Sequence, residues 1–244
     1  MLLLPLIVIL SSSLTANIVF KDPNAMLHYV KKLLPQAPQI LEAGGHFGED
    51  TIKMKKIWPN ATIHVFEPLP SSFEKMQNQT NNLKNVTCYP YALTTYSGET
   101  NFYIDLPNNA ASSIGHPIDF NKSEFDLKPI KVPCKTIKQW VIDNNISQIG
   151  FMWLDMEGHE LQALSNAGEI LNTVKAIWTE ISFVPIRQDS CAYQDLKKFL
   201  ELHGFIESCR YGNLSVTSKF ADALYVKKKL YESIKYSANK PSYK

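Results

Sequence analysis

The stretch ILEAGGHFGEDT, Ile40 to Thr51, constrains this chain more than any other. A buried apolar run passes through three glycines into Glu49 and Asp50, the pattern of a strand that turns sharply into a helix. Glycine serves where the backbone must come close to a neighbour or take a left-handed turn. In an open α/β sheet such a turn, at the carboxyl end of a strand, is where ligands bind. The reading places Glu42, Gly44, Gly45 and Gly48 around a cofactor. A dinucleotide fingerprint needs G-x-G-x-x-G, yet the third position is His46 counted from Gly44 and Phe47 counted from Gly45. Glu49 and Asp50 would also repel a phosphate at the helix start. A nucleoside ligand without phosphate suits this turn.

The rest of the chain alternates in the same way. Strands are expected at Gln39–Ala43, Thr62–Phe66, Val86–Leu93, Ile149–Leu154 and Ala176–Ile181, then near Phe205–Cys209 and Ala223–Val226. Helices are expected at Glu49–Ile57, Phe73–Gln79, Thr136–Asn144, His159–Leu171 and Tyr193–His203. Between Gly98 and Pro133 the rhythm breaks, leaving a short alternating piece at Asn101–Ile104 and otherwise loop. Apolar strands spaced by helices predict an α/β fold, a mostly parallel sheet with helices on both faces. The last two strands are joined by too short a connection for a helical crossover, so the last runs antiparallel.

With 244 residues, 45% of them hydrophobic, the chain can bury one core. The domain is expected over residues 21–232, after a hydrophobic segment (1–20) and before a polar tail (233–244). The net charge of +2 leaves no electrostatic footprint for nucleic acid. Leu2 to Leu10 reads as a signal-like core or a short anchor, although no basic residue precedes it. Association with a membrane through residues 2–20 follows, with Lys21, Lys31 and Lys32 favouring a cytosol-facing domain; secretory entry stays open. Cys88, Cys134, Cys191 and Cys209 have no metal-ligand spacing and read as packed thiols.

Residues just after each apolar run should line the ligand edge. Glu67 ends the second strand, where a carboxylate accepts hydrogen bonds from ribose hydroxyls, and Pro68 follows it. Ala92 ends the third run, Asp155 to Glu160 follow the fourth, and Glu180 lies near the end of the fifth. S-adenosylmethionine, with adenosine, ribose and no phosphate, meets this description.

EAGGHFGEDT, VFEPLP, YAL and above all LDMEGHE resemble the FkbM-type family of S-adenosylmethionine-dependent methyltransferases, over roughly Gln39 to Val226. The resemblance implies the class I Rossmann-like fold with a seven-stranded sheet, and methyl transfer to a hydroxyl oxygen of a saccharide or other small molecule. Glu42 stands where the family often has Asp, and His46 where Asn is usual. His159 is the first candidate for the base that takes the acceptor's proton. Asp155 or Glu157 would hold the amino group of the methionine moiety or orient His159. The plainer alternative makes Asp155 and Glu160 helix caps and leaves His159 to solvent. A divalent metal on Asp155, Glu157, His159 and Glu180 is a weaker alternative, and His116 a second choice for base. The segment Asn108–His116 would fold over the cofactor or present Ser112 and Ser113. Arg187 would bind an anionic acceptor or, more simply, form a surface salt bridge. The rival readings are a nucleotide-sugar or NAD enzyme and a non-catalytic nucleoside-binding or membrane-tethered module.

Overall fold

The structure, a computed structural model, describes residues 18–19, 23–118, 127–185, 187–211 and 219–238. Of the hydrophobic segment expected at residues 1–20, the described residues include only Ile18 and Val19. No helix among the described residues is long and apolar enough to cross a membrane.

In chain order the main elements are β1 (Ile18–Val19), α1 (Pro23–Lys31), β2 (Gln39–Ala43), α2 (Glu49–Ile57), β3 (Thr62–Phe66), α3 (Pro70–Thr80), β4 (Val86–Tyr89) and β5 (Ala92–Leu93). They continue with β6 (Gly98–Asp105), β7 (Leu127–Lys135), α4 (Ile137–Asp143), β8 (Phe151–Leu154), α5 (Glu160–Ser165) and β9 (Ala176–Ser182). The last elements among the described residues are α6 (Tyr193–Leu202), β10 (Phe205–Tyr211), β11 (Phe220–Lys227) and α7 (Lys228–Ala238).

Among the described residues, eight strands form the main sheet in the order β1-β10-β11-β9-β8-β2-β3-β4. Only β11 runs against its neighbours, as the short connection to β10 predicted. The seven expected strands are joined at one edge by β1, whose Ile18 and Val19 pair with Cys209 and Arg210. The order reverses between β2 and β8, so the ends of these two strands form the ligand-binding edge of a doubly wound, Rossmann-like sheet.

Side chains alternate across each strand and bury against different helices. Ile40, Ile63, Phe151 and Trp153 pack with Met26 of α1, Met54 of α2 and Met76 of α3. Leu41, Ala43, Met152 and Leu154 pack on the other face with Trp140 of α4, Ala163 of α5 and Leu196 of α6. Burying apolar groups on both faces stabilises a parallel sheet by roughly 25 cal/mol per Å2 removed from water.

Several expected elements change. Val86–Leu93 is two strands, because Pro90 interrupts the run and β5 leaves for another sheet. That sheet, ordered β5-β7-β6, occupies the region expected to be mostly loop. The helix expected to run from His159 to Leu171 stops at Ser165; a 3-10 turn follows over Gly168–Asn172, with Gly168 at a φ of 67°. Helix α1 lacked a signal strong enough to be foreseen, and α7 carries helix through Ala238 into the stretch expected as a polar tail. All four cysteines are free thiols.

Candidate active site

The ends of β2 and β8 are joined before any side chain takes part. The Asp155 N–H donates to the Ala43 carbonyl at 2.9 Å, and the Gly44 and Gly45 N–H groups both donate to the Phe66 carbonyl at 3.0 and 2.9 Å. This closeness explains the first glycine. A Cβ on Gly44, whose φ is 88°, would come 1.8 Å from the Asp155 carbonyl oxygen. A Cβ on Gly45 would press into Val65 and Met76. The two glycines let backbone meet backbone and helix meet sheet, and their main chain then borders the cleft.

That cleft, about 250 Å3, opens where the strand order reverses. Gly44, Gly45, Glu67, Pro68, Ala92 and Asp155 line it, all expected from the sequence. His159 lines it as well, beside Met156.

Two expected contacts fall away. Glu42 shares the face of β2 that lies under α2; its carboxylate is sealed there and accepts the Thr51 hydroxyl at 2.5 Å. Burial pushes its pKa up to about 8. The alternation of the strand sends Ala43, not Glu42, to the cleft. Gly48 caps α2 in the left-handed region, and a Cβ there would meet Thr80 and Met76 of α3. It shapes the turn and faces protein.

Glu67 holds the glycine turn in place. Its carboxylate accepts the His46 N–H at 2.8 Å and the Leu69 N–H at 2.8 Å. Burial nevertheless raises its pKa to about 7, with the two N–H bonds opposing. His46 takes a φ of 45°. Its Nε2 lies 3.0 Å from Asn109 Oδ1 and so ties the turn to the segment that crosses above it. Asn109, Ala110, Ser112 and Ile114 of that segment line the cleft, as expected of a strap over the cofactor. Ser113 does not present its hydroxyl to an acceptor, because it donates to the Met156 and Glu157 carbonyls at 3.3 Å.

The acidic turn after β8 divides by role. Glu160 is buried and accepts the Met156 N–H at 2.9 Å and the Gly158 N–H at 3.3 Å, so it holds the turn before α5 and does not cap the helix as expected. Glu157, at a φ of 56°, lies 3.5 Å from the buried guanidinium of Arg187. Arg187 also donates to the carbonyls of Ala111 and Gly115, so its salt bridge lies buried inside the fold and not at the surface where it was expected. Asp155 opens to solvent through the cleft but is surrounded by protein elsewhere; burial and then Asp50 raise its pKa to about 6. His159 is buried at the N-cap of α5, and its Nδ1 has no hydrogen-bond partner. Burial lowers its pKa to about 4. The imidazole is neutral, with burial as the main cause.

Asp155, Glu157 and Glu180 place one carboxylate oxygen each within 4.8 Å of one another. His159 is not part of that group, which removes the nitrogen ligand from the expected metal set. Burial, followed by Glu157 and Asp155, raises Glu180 to about 10, and burial with Asp155 raises Asp222 to about 7. In both, burial is the larger cause and the neighbouring carboxylates add to it.

The sheet order, the glycine turn and the acid-lined cleft at the reversal point define a nucleoside-binding α/β domain of the methyltransferase kind. Residues 42–211 match the model of the methyltransferase FkbM domain, and the chain belongs to that family. The cofactor that goes with it is S-adenosylmethionine. The chain is 23% identical over 155 residues to the 2-O-methyltransferase NoeI of Sinorhizobium fredii, covering 59% of this chain and 63% of that protein. It is 27% identical over 147 residues to Methyltransferase 1 of Beauveria bassiana, covering 53% of this chain and 58% of that one. The matches thus span about three fifths of the length of these curated relatives. Among solved structures, the fibrillarin pre-rRNA processing protein of Methanococcus jannaschii shares the fold, with a TM-score of 0.52, 11% identity and coverage of 85% of this chain and 76% of that one.

Proposed function

We propose that this chain transfers a methyl group from S-adenosylmethionine to a hydroxyl oxygen of a small-molecule acceptor of saccharide type. The observation that carries the reading is the pairing of Glu67 with Asp155 and His159 around one cleft at the strand reversal. Glu67 gives each oxygen to one N–H and keeps lone pairs for ribose hydroxyls. Asp155, together with Asp50 on the same wall, offers negative charge to a ligand that carries an ammonium and a sulfonium. When bound, S-adenosylmethionine supplies an electrophilic methyl group, so the protein's task is mainly to orient the acceptor oxygen and remove its proton. His159 is neutral and borders the cleft, and we assign it the proton. Glu157 is held by Arg187 and positions the turn. The name of NoeI, a 2-O-methyltransferase, supports oxygen as the methylated atom.

Calorimetry with S-adenosylhomocysteine tests the cofactor half. Folded protein that releases no binding heat would sink the proposal. Methyl transfer into cell extract, followed by identification of the product, tests the acceptor half; a methylated nitrogen or carbon in place of oxygen would overturn it.

A further inference from the structure

A second cleft, about 330 Å3, lies on the other side of His159. His159 and Ile114 line both clefts, so the two meet there. Its walls come from elements far apart in sequence: Thr100, Asn101 and Tyr103 from β6, Gln162 from α5, and Gln188 with Asp189 from the turn after Arg187. Arg187 holds that turn to the strap through the Ala111 and Gly115 carbonyls, which makes the partition between the clefts a built feature.

Two buried polar atoms on residues of this wall have no hydrogen-bond partner among the described residues, His159 Nδ1 and Gln162 Oε1. Buried polar atoms are rarely left so, and an unpaired pair at one cleft points to partners brought by a ligand. The lining is rich in hydroxyl and amide groups, and the Tyr103 ring stands edge-on to His116 at 4.9 Å. Among the described lining residues there is no lysine or arginine, whereas Asp189 adds a carboxylate. An anionic ligand would meet repulsion without a compensating cation.

We propose that this second cleft is the acceptor site and that it takes an uncharged polyhydroxylated ring, such as a pyranoside, whose reacting hydroxyl reaches the methyl donor beside His159. The proposal rests on the methyltransferase reading above. The transfer balances simply: a C–O bond forms as the C–S bond of the sulfonium breaks to leave a thioether, and the hydroxyl proton passes to His159 and on to solvent.

Asn101 and Gln188 are exposed on two different walls, so Asn101→Trp and Gln188→Trp fill the cleft with little cost to folding. Saturation-transfer NMR in the presence of S-adenosylhomocysteine would compare methyl pyranosides with the matching uronic acids and sugar phosphates. Neutral pyranosides should bind the parent and bind each variant about tenfold or more weakly, while calorimetric affinity for S-adenosylhomocysteine stays within about twofold. Equal binding to parent and variants, a preference for the anionic sugars, or binding of no pyranoside overturns the acceptor assignment. A parent that binds pyranosides but not S-adenosylhomocysteine instead overturns the methyltransferase reading, and the acceptor role with it.

Discussion

The turns that leave β2 and β8 lie side by side and are built by one device. Each forces a non-glycine residue to positive φ, His46 at 45° and Glu157 at 56°. Each is held by a buried glutamate that accepts two backbone N–H groups. The glutamates differ in origin and outlook. Glu67 comes from the neighbouring strand and faces the cleft, whereas Glu160 comes from the helix after its own turn and is sealed behind it. One carboxylate therefore shapes a turn and keeps capacity for a ligand, and the other only shapes. Chemical likeness between two acidic residues says little about role; the direction in which each faces decides it.

The largest test removes the closeness on which both turns depend. Gly44→Ala should cost about 4 kcal/mol or more, because backbone at Asp155 cannot yield as a flexible side chain would. Denaturant titration showing a loss below about 1 kcal/mol would mean the two strand ends are not pressed together.

Next in size is the residue at the end of the acidic turn. His159→Ala should leave S-adenosylhomocysteine affinity nearly unchanged and lower turnover by about 10²–10⁴-fold, the usual contribution of a positioned base. Normal turnover in single-turnover kinetics would reassign the proton to one of the carboxylates.

The two glutamates themselves should then part company. Glu160→Ala ought to lower unfolding free energy by about 2–3 kcal/mol, since two buried N–H groups lose their acceptor, with little change in ligand affinity for the folded fraction. Glu67→Ala should weaken S-adenosylhomocysteine by about tenfold or more at a similar or smaller stability cost. If calorimetry finds equal ligand affinities in the two variants, the contrast between the turns is wrong.

Glu42 gives the smallest and most pH-specific effect. Its folded pKa, about 8, is raised above the usual carboxylate value, so the folded state holds a proton that the unfolded chain releases. Its contribution to stability therefore falls as pH rises from about 4.5 towards 8. Glu42→Gln keeps the shape without the charge and should raise stability by about 1–3 kcal/mol at pH 8, with the gain fading towards pH 5. Parallel pH profiles of melting temperature for parent and variant would contradict this.

The main sheet was legible because its evidence is local. IGFMWL and TIHVF are short apolar or β-branched runs, and their spacing by helices leaves few topologies. The small sheet was not legible. LKPIKVPCK places Pro129 and Pro133 within β7, which argues against a strand paired on both sides. The structure accommodates them because β5 pairs only with Cys134 and Lys135, leaving most of β7 as an edge. Likewise, the bond between His46 and Asn109 joins residues 63 apart, and no local pattern announces it.

The sequence by itself determined the class of fold, the family and the strand ends where a ligand sits, because periodicity and turn chemistry act over a few residues. Tertiary structure alone decided which acids face the cleft. Glu42 lies inside β2 and is buried under α2, whereas Glu67 sits one residue past the end of β3 and reaches the cleft. The second cleft, too, exists only through contacts among β6, α5 and the turn after Arg187. Those contacts span long stretches of chain, and their outcome depends on packing across the whole domain.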